Sequence, residues 1–203
     1  MIEIIDCVQG EKEWFEARIG TPTASMFATV KAGGKGGGES KTRKKYMLQL
    51  LGEKITGQRQ EGYSNHHMLR GQEMEESARM AYIFKTGNEV QQVGFVRNGD
   101  KGASPDSLIG DDGLLEIKTK LPEIQLDLLL NDKFPTEHTA QVQGQIWVCE
   151  REWCDFVSYW PGLKPYIKRV YRDDEYIKKL SEAVDQFNNE LNELYLKYEN
   201  ISV

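Results

Sequence analysis

Apolar residues recur at helical spacing along several stretches of the chain. From Lys41 to about Ile55 the positions Tyr46, Met47, Leu50, Leu51 and Ile55 fall on one face, and from Asp173 to about Tyr198 a stripe runs through Ile177, Leu180, Val184, Phe187, Leu191 and Leu194. Residues 11–19 form a short predicted helix with Trp14, Phe15 and Ile19 available to a core. His66 to Thr86 is a longer one, stopped by Gly87. Leu121 to Leu130 and Thr136 to Cys149 also carry a helical pattern. Runs of alternating character predict strands over Glu89–Arg97, Asp155–Trp160 and Tyr166–Tyr171, with Asn98-Gly99 as a turn. Strands interleaved with helices in this order predict one α/β domain over residues 1–203, a central mixed sheet with helices on both sides. Ala32 to Ser40 is rich in glycine and reads as a flexible loop, but no Gly-Lys-Ser/Thr closes it, so it is not a phosphate loop.

The chemistry concentrates in a second hairpin. Gly110-Asp111-Asp112-Gly113 has turn composition, so residues 103–109 and 114–118 are its two arms. The two-residue period of a strand sends Glu116 and Lys118 to one face, and Leu115 and Ile117 to the other, where they enter a core. Asp106 on the first arm then faces the polar pair. Two carboxylates sharing a site repel one another unless a cation lies between them. Oxygen ligands suit Mg²⁺ or Mn²⁺ rather than zinc. A surface hairpin with solvated charges would have the same sequence, so the wider context decides.

Composition narrows the classes. With 203 residues, 39% hydrophobic and 10% aromatic, the chain is long and apolar enough to bury a core and is not disordered throughout. No apolar run approaches a membrane span and no basic-then-apolar leader opens the sequence, so a soluble cytoplasmic protein with no membrane partner is expected. Cys7, Cys149 and Cys154 are odd in number and lack a CxxC pair, which argues against a disulfide framework, a structural zinc site or an iron–sulfur cluster. His66, His67 and His138 have no soft-ligand partners to complete a zinc set. A net charge of −6 counts against a nucleic-acid partner, although basic residues gather at Lys41, Arg43, Lys44 and Lys45 and at Lys164, Lys168 and Arg169.

Four segments occur in order: Trp14 through Ser25, Arg70 through Arg79, Ser104-Pro105-Asp106 followed by Leu115-Glu116-Ile117-Lys118, and Ala140 through Trp147. Together they resemble the lambda-exonuclease-like phage alkaline exonuclease and viral recombinase family of the PD-(D/E)XK superfamily. The resemblance covers about residues 14 to 160. It implies a restriction-endonuclease-like core and a Mg²⁺-dependent (Mn²⁺ as a substitute) 5′→3′ exonuclease that digests one strand of linear double-stranded DNA, leaving 3′ overhangs for recombination. It also implies a ring-shaped homotrimer, a phage single-strand annealing protein as partner, and a bacterial host cytoplasm.

By the same resemblance Asp106 and Glu116, with the Ile117 carbonyl, hold the metal, and Lys118 orients or deprotonates the attacking water. Glu75, which shares a face with Ala78 and Tyr82, is the helix carboxylate near the metals and counts as a further catalytic and metal-binding residue. Gln141 lines the site, with Gln145 one turn later readable as a plain polar stripe. Arg18, Ser25 and Ser104 form the pocket for the 5′-phosphate, although Arg18 alone would read as a helix ion pair with Glu13 or Glu16. Met68 or Leu69 stands where the family splits a terminal base pair. The chain departs from the pattern after Lys118: Thr119 through Ile124 contains no arginine, and Lys120 is the nearest substitute. Asp100 lies near a family acidic residue at a different spacing and is not assigned. A PD-(D/E)XK endonuclease, restriction-like or junction-resolving, and a catalytically silent DNA-end scaffold are the rival readings.

Overall fold

A computed structural model describes residues 1–34, 40–59 and 66–201, with the side chains of residues 66–69 and 72 outside the description. The core of the predicted glycine loop, the His66 and His67 side chains and the Met68–Leu69 wedge therefore lie outside the described residues. Among the described residues the elements follow in the order β1 (Ile2–Ile5), α1 (Lys12–Arg18), α2 (Phe27–Val30), α3 (Lys41–Thr56), α4 (His66–Thr86), β2 (Phe95–Asn98), β3 (Lys101–Ala103), β4 (Ser107–Ile109), β5 (Gly113–Thr119), α5 (Pro122–Asn131), α6 (Thr139–Val148), β6 (Trp153–Tyr159), β7 (Tyr166–Tyr171) and α7 (Asp174–Glu199). Helix positions follow the periodicity closely. Ser40 caps α3 through the Arg43 N–H, and Asp173 caps α7 through the Tyr176 N–H.

The sheet differs from the expectation in being split. β1-β2-β3 form one antiparallel sheet, and β4-β5-β6-β7 form a mixed one in which β5 and β6 run parallel. The strand expected over Glu89–Arg97 is shorter for the same reason. Gln91 exchanges backbone hydrogen bonds with Leu108 at 2.9 and 2.7 Å, and then the chain leaves β4 and pairs with β1 from Phe95 onward. The switch falls at Gly94, where a Cβ would lie 2.3 Å from the Cys7 carbonyl oxygen. β1, with only four residues and no clear alternation, had no sequence signal.

The mixed sheet is covered on both faces, as expected. Ala78 and Tyr82 of α4 bury Ile109, Leu115, Ile117 and Val157 on one side. On the other, Phe27, Ile146, Leu180, Val184 and Phe187 enclose Leu114 and Phe156. Each such side chain, wholly removed from water, contributes about 1.5–3 kcal/mol. β5 is thus a central strand buried on both faces, and its one charged pair, Glu116 and Lys118, needs polar partners. No helix among the described residues is long and apolar enough to cross a membrane.

Candidate active site

Asp106 directly precedes β4. Its N–H donates to the Leu115 carbonyl at 3.1 Å, and its Oδ2 accepts the Ile117 N–H at 2.5 Å, so the carboxylate folds over β5 beside Glu116. Glu116 is only 1% exposed. Its Oε1 lies 2.5 Å from Lys118 Nζ and accepts from Gln141 Nε2 at 2.6 Å, while its Oε2 accepts from Gln145 Nε2 at 2.6 Å. A buried carboxylate is tolerated only when such donors replace water. α6 supplies two of them one turn apart, so Gln145 is not the plain polar stripe it resembles in sequence. Its i+4 spacing from Gln141 was the available signal.

The charges act on one another. Burial first, then repulsion from Glu116 and Glu75, pushes the Asp106 carboxyl well above the usual range. Burial opposes the Lys118 ammonium, but attraction to Glu116, Asp106 and Glu75 outweighs it, so its pKa is raised and it remains an ammonium here. Glu75 is therefore electrostatically part of the cluster. Its carboxylate, however, is bound to Arg79 at 2.5 Å. Arg79 is itself buried and also pairs with Glu76 and donates to Ser107 Oγ. Glu75 and Asp106 both line a cavity of about 760 Å³.

The second group of residues converges on the same place. Arg18 Nη1 donates to Ser104 Oγ at 2.9 Å and Nη2 to Thr23 Oγ1 at 3.3 Å, and Thr23 Oγ1 lies 3.2 Å from Ser25 Oγ. Trp14 Nε1 donates to the same Ser104 Oγ at 2.8 Å, and the Arg18 guanidinium lies 4.2 Å over the Trp14 ring. Glu16 pairs with Lys12 instead, so the helix ion pair is not what Arg18 makes. The Ser25 segment is brought in by Gly144, which lies between Gln141 and Gln145. A Cβ there would lie 2.5 Å from the Phe27 ring. One cavity of about 190 Å³ is lined by Arg18, Ser25 and Ser104 together with Asp106, Glu116, Lys118 and Gln141. Trp14 and Thr23 are the supports that the sequence did not single out.

Other candidates separate from this cavity. Lys120 pairs with Glu137 at 3.5 Å. Arg43 is held by Glu190, Lys168 by Asp132 and Arg169 by Asp155, so these three members of the basic runs are taken up in ion pairs. His138 stacks on Phe156, and burial, with repulsion from Lys120 and Lys118, lowers its pKa to about 4, leaving it neutral. All three cysteines are free thiols. Asp100 offers only its backbone carbonyl, to Asn188.

Among the described residues no three Asp, Glu, His or Cys side chains form a ready metal cage. The donors at hand are the carboxylates of Asp106 and Glu116, all oxygen, with mutually repelling negative charge around Asp106. That chemistry fits a hard divalent cation with water completing its shell. Gln145→Leu is expected to destabilise the fold by about 1–3 kcal/mol, because one Glu116 oxygen is left buried without its donor. Urea unfolding of the variant against wild type measures it.

A mixed sheet with helices on both faces and an Asp-x(9)-Glu-x-Lys hairpin at its edge define a nuclease core of the PD-(D/E)XK type. The model of the YqaJ-like viral recombinase domain matches residues 13–152, and the chain belongs to that family. The structure is similar to that of an alkaline exonuclease, LHK-Exo, from Laribacter hongkongensis: 36% identity, 93% of this chain and 97% of that one covered, TM-score 0.82. The complex of LHK-Exo with dAMP matches over the same shares at TM-score 0.83. A phage-related exonuclease from Haemophilus somnus 129PT, at 15% identity, 88% and 96% coverage and TM-score 0.69, shares the fold. A search of curated proteins finds no match.

Proposed function

We propose that this protein is a Mg²⁺-dependent 5′→3′ exonuclease that shortens one strand of linear duplex DNA and leaves a 3′ single strand for recombination. The observation that carries this reading is the shared cavity: the Arg18–Ser25–Ser104 group opens onto the same space as Asp106, Glu116 and Lys118. Arg18 presents a planar fork that matches phosphate oxygens, and the two hydroxyls add donors. A terminal phosphate held there places the next phosphodiester toward the carboxylates. Asp106, Glu116 and the Ile117 carbonyl would hold Mg²⁺, which supplies Lewis-acid stabilisation of the developing charge. Lys118 hydrogen-bonds the attacking water, and Gln141 and Gln145 fix the carboxylate of Glu116 so that its oxygens do not rotate away. The dAMP bound by the 36%-identical LHK-Exo is a nucleoside monophosphate, the product class of such a reaction. Intact Asp106, Glu116 and Lys118 argue against a silent scaffold.

The test is digestion of linear, nicked and covalently closed duplexes with Mg²⁺, each linear end bearing either a 5′-phosphate or a 5′-hydroxyl. Phosphorylated linear DNA is expected to be degraded fastest, and closed circles to survive. Efficient cutting of closed circles would establish the endonuclease alternative. Arg18→Ala should shrink the preference for phosphorylated ends and shorten the run of nucleotides released per binding event, measured at one fixed moderate salt because backbone attraction varies steeply with ionic strength. The homotrimer and the annealing protein are proposals from the resemblance alone, and sedimentation of the purified protein tests the first.

A further inference from the structure

Arg18 also faces a second cavity. This one is about 340 Å³ and shares Trp14, Arg18 and Ser25 with the catalytic cavity. Its other cation is Arg59, three residues beyond the end of α3. The Arg59 guanidinium lies 3.6 Å over the Phe15 ring, Phe15 meets Trp14 edge-on at 4.8 Å, and Arg18 lies 4.2 Å over Trp14. Two guanidiniums thus cap an aromatic pair, each favoured by the negative face of its ring.

Among the described residues Arg18 and Arg59 form no ion pair with a carboxylate. The carboxylate that lines this cavity, Glu53, is turned to the Gly20 N–H at 3.1 Å and to Gln49 Nε2 at 3.1 Å. Burial, and then repulsion from Arg59, lowers the Arg18 pKa to about 10 against the pull of Tyr46 and Glu53. A partly desolvated cation beside a like charge is costly, and an anion bound between the two relieves both penalties.

Resting on the exonuclease reading, we propose that Arg59 is the second cation of the 5′-phosphate subsite, and that the Arg18–Arg59 pair selects a terminal phosphomonoester. A monoester carries about −1.5 to −2 charges near neutral pH, against −1 for a backbone diester and none for a hydroxyl, so two guanidiniums discriminate where one does so weakly. The assignment also accounts for the missing arginine after Lys118. Lys120 is occupied by Glu137, and the charge enters from the end of α3 instead.

The experiment compares wild type, Arg18→Ala, Arg59→Ala and Arg59→Gln on the same linear duplex with 5′-phosphate or 5′-hydroxyl ends, recording KM and kcat for each. Arg59 is exposed, so both of its variants retain the core; thermal melts verify this. The expected result is a loss of about 10- to 100-fold in the phosphate-to-hydroxyl ratio for both Arg59 variants, the scale of one charged hydrogen bond, expressed mainly in KM. If wild type prefers phosphorylated ends, Arg18→Ala loses the preference and both Arg59 variants keep it, the Arg59 assignment is overturned and the exonuclease reading stands. If wild type itself ignores the 5′-phosphate or cuts closed circles, both fall together.

Discussion

Glu116→Ala will reduce hydrolysis of linear duplex DNA by more than about 10³-fold, and Asp106→Ala will do the same. Each carboxylate is proposed to give an inner oxygen to a cation that would stabilise several kcal/mol of developing charge, and about 4 kcal/mol already corresponds to that factor. The two variants differ in their effect on folding. Asp106 accepts a single backbone hydrogen bond, from Ile117, and its removal also relieves repulsion with Glu116 and Glu75. Glu116 receives Lys118, Gln141 and Gln145, so alanine there leaves an ammonium and two amides without their acceptor in a buried place. Glu116→Gln keeps the volume and separates the two effects. It is expected to fold better than Glu116→Ala and to be equally inactive. Single-turnover assays with parallel thermal melts check both statements, and wild-type turnover persisting in excess chelator would rule out the metal role.

Lys118→Ala is expected to slow the chemical step by about 10²–10⁴-fold, the loss typical of a positioned acid–base group. Lys118→Arg should not restore it. The guanidinium is planar, gives up its proton far less readily and fills a different volume beside Glu116. DNA affinity should change much less than rate, because the proposed end-binding residues Arg18, Ser25 and Ser104 make no hydrogen bond to Lys118. Rates under single-turnover conditions, compared with filter binding in the presence of Ca²⁺, separate the two. Near-normal rates in either variant would make the lysine a structural partner of Glu116 only.

Much of this architecture was legible in one dimension because its elements rest on local rules. The α7 stripe from Ile177 to Leu191, the Gly87 stop of α4 and the β4–β5 hairpin follow from periodicity and turn composition and stand in the structure, although the first hairpin arm, expected over residues 103–109, is only Ser107–Ile109 and Ala103 pairs with β2 instead. Two-residue alternation placed Glu116 and Lys118 on one face of β5, and they share it. The same alternation put Leu115 and Ile117 in a core, though it could not show that the other face is buried as well. That depends on α6 and α7, which return to the sheet from far along the chain.

Tertiary structure decided what depends on distant contacts. The division into two sheets at Gly94 arises because Phe95 finds β1, some ninety residues earlier, and four residues of β1 carry too little pattern to announce themselves. Gln145 was ambiguous on its helix and became a partner of Glu116 only when α6 crossed β5. The charge clusters at Lys41–Lys45 and Lys164–Arg169 looked like a surface for phosphate, but Arg43, Lys168 and Arg169 face carboxylates on other elements. Arg59 was invisible as a site residue because nothing near it in sequence is functional. Its place beside Phe15, Trp14 and Arg18 comes from α3 ending where α1 begins its turn into the site. Hydrogen bonds within a helix or hairpin are set by neighbours a few residues away, whereas buried charges take whatever partner the packed chain brings within about 3 Å. The residue types and the hairpin were therefore determined by the sequence alone, and the membership of the cavity by the fold.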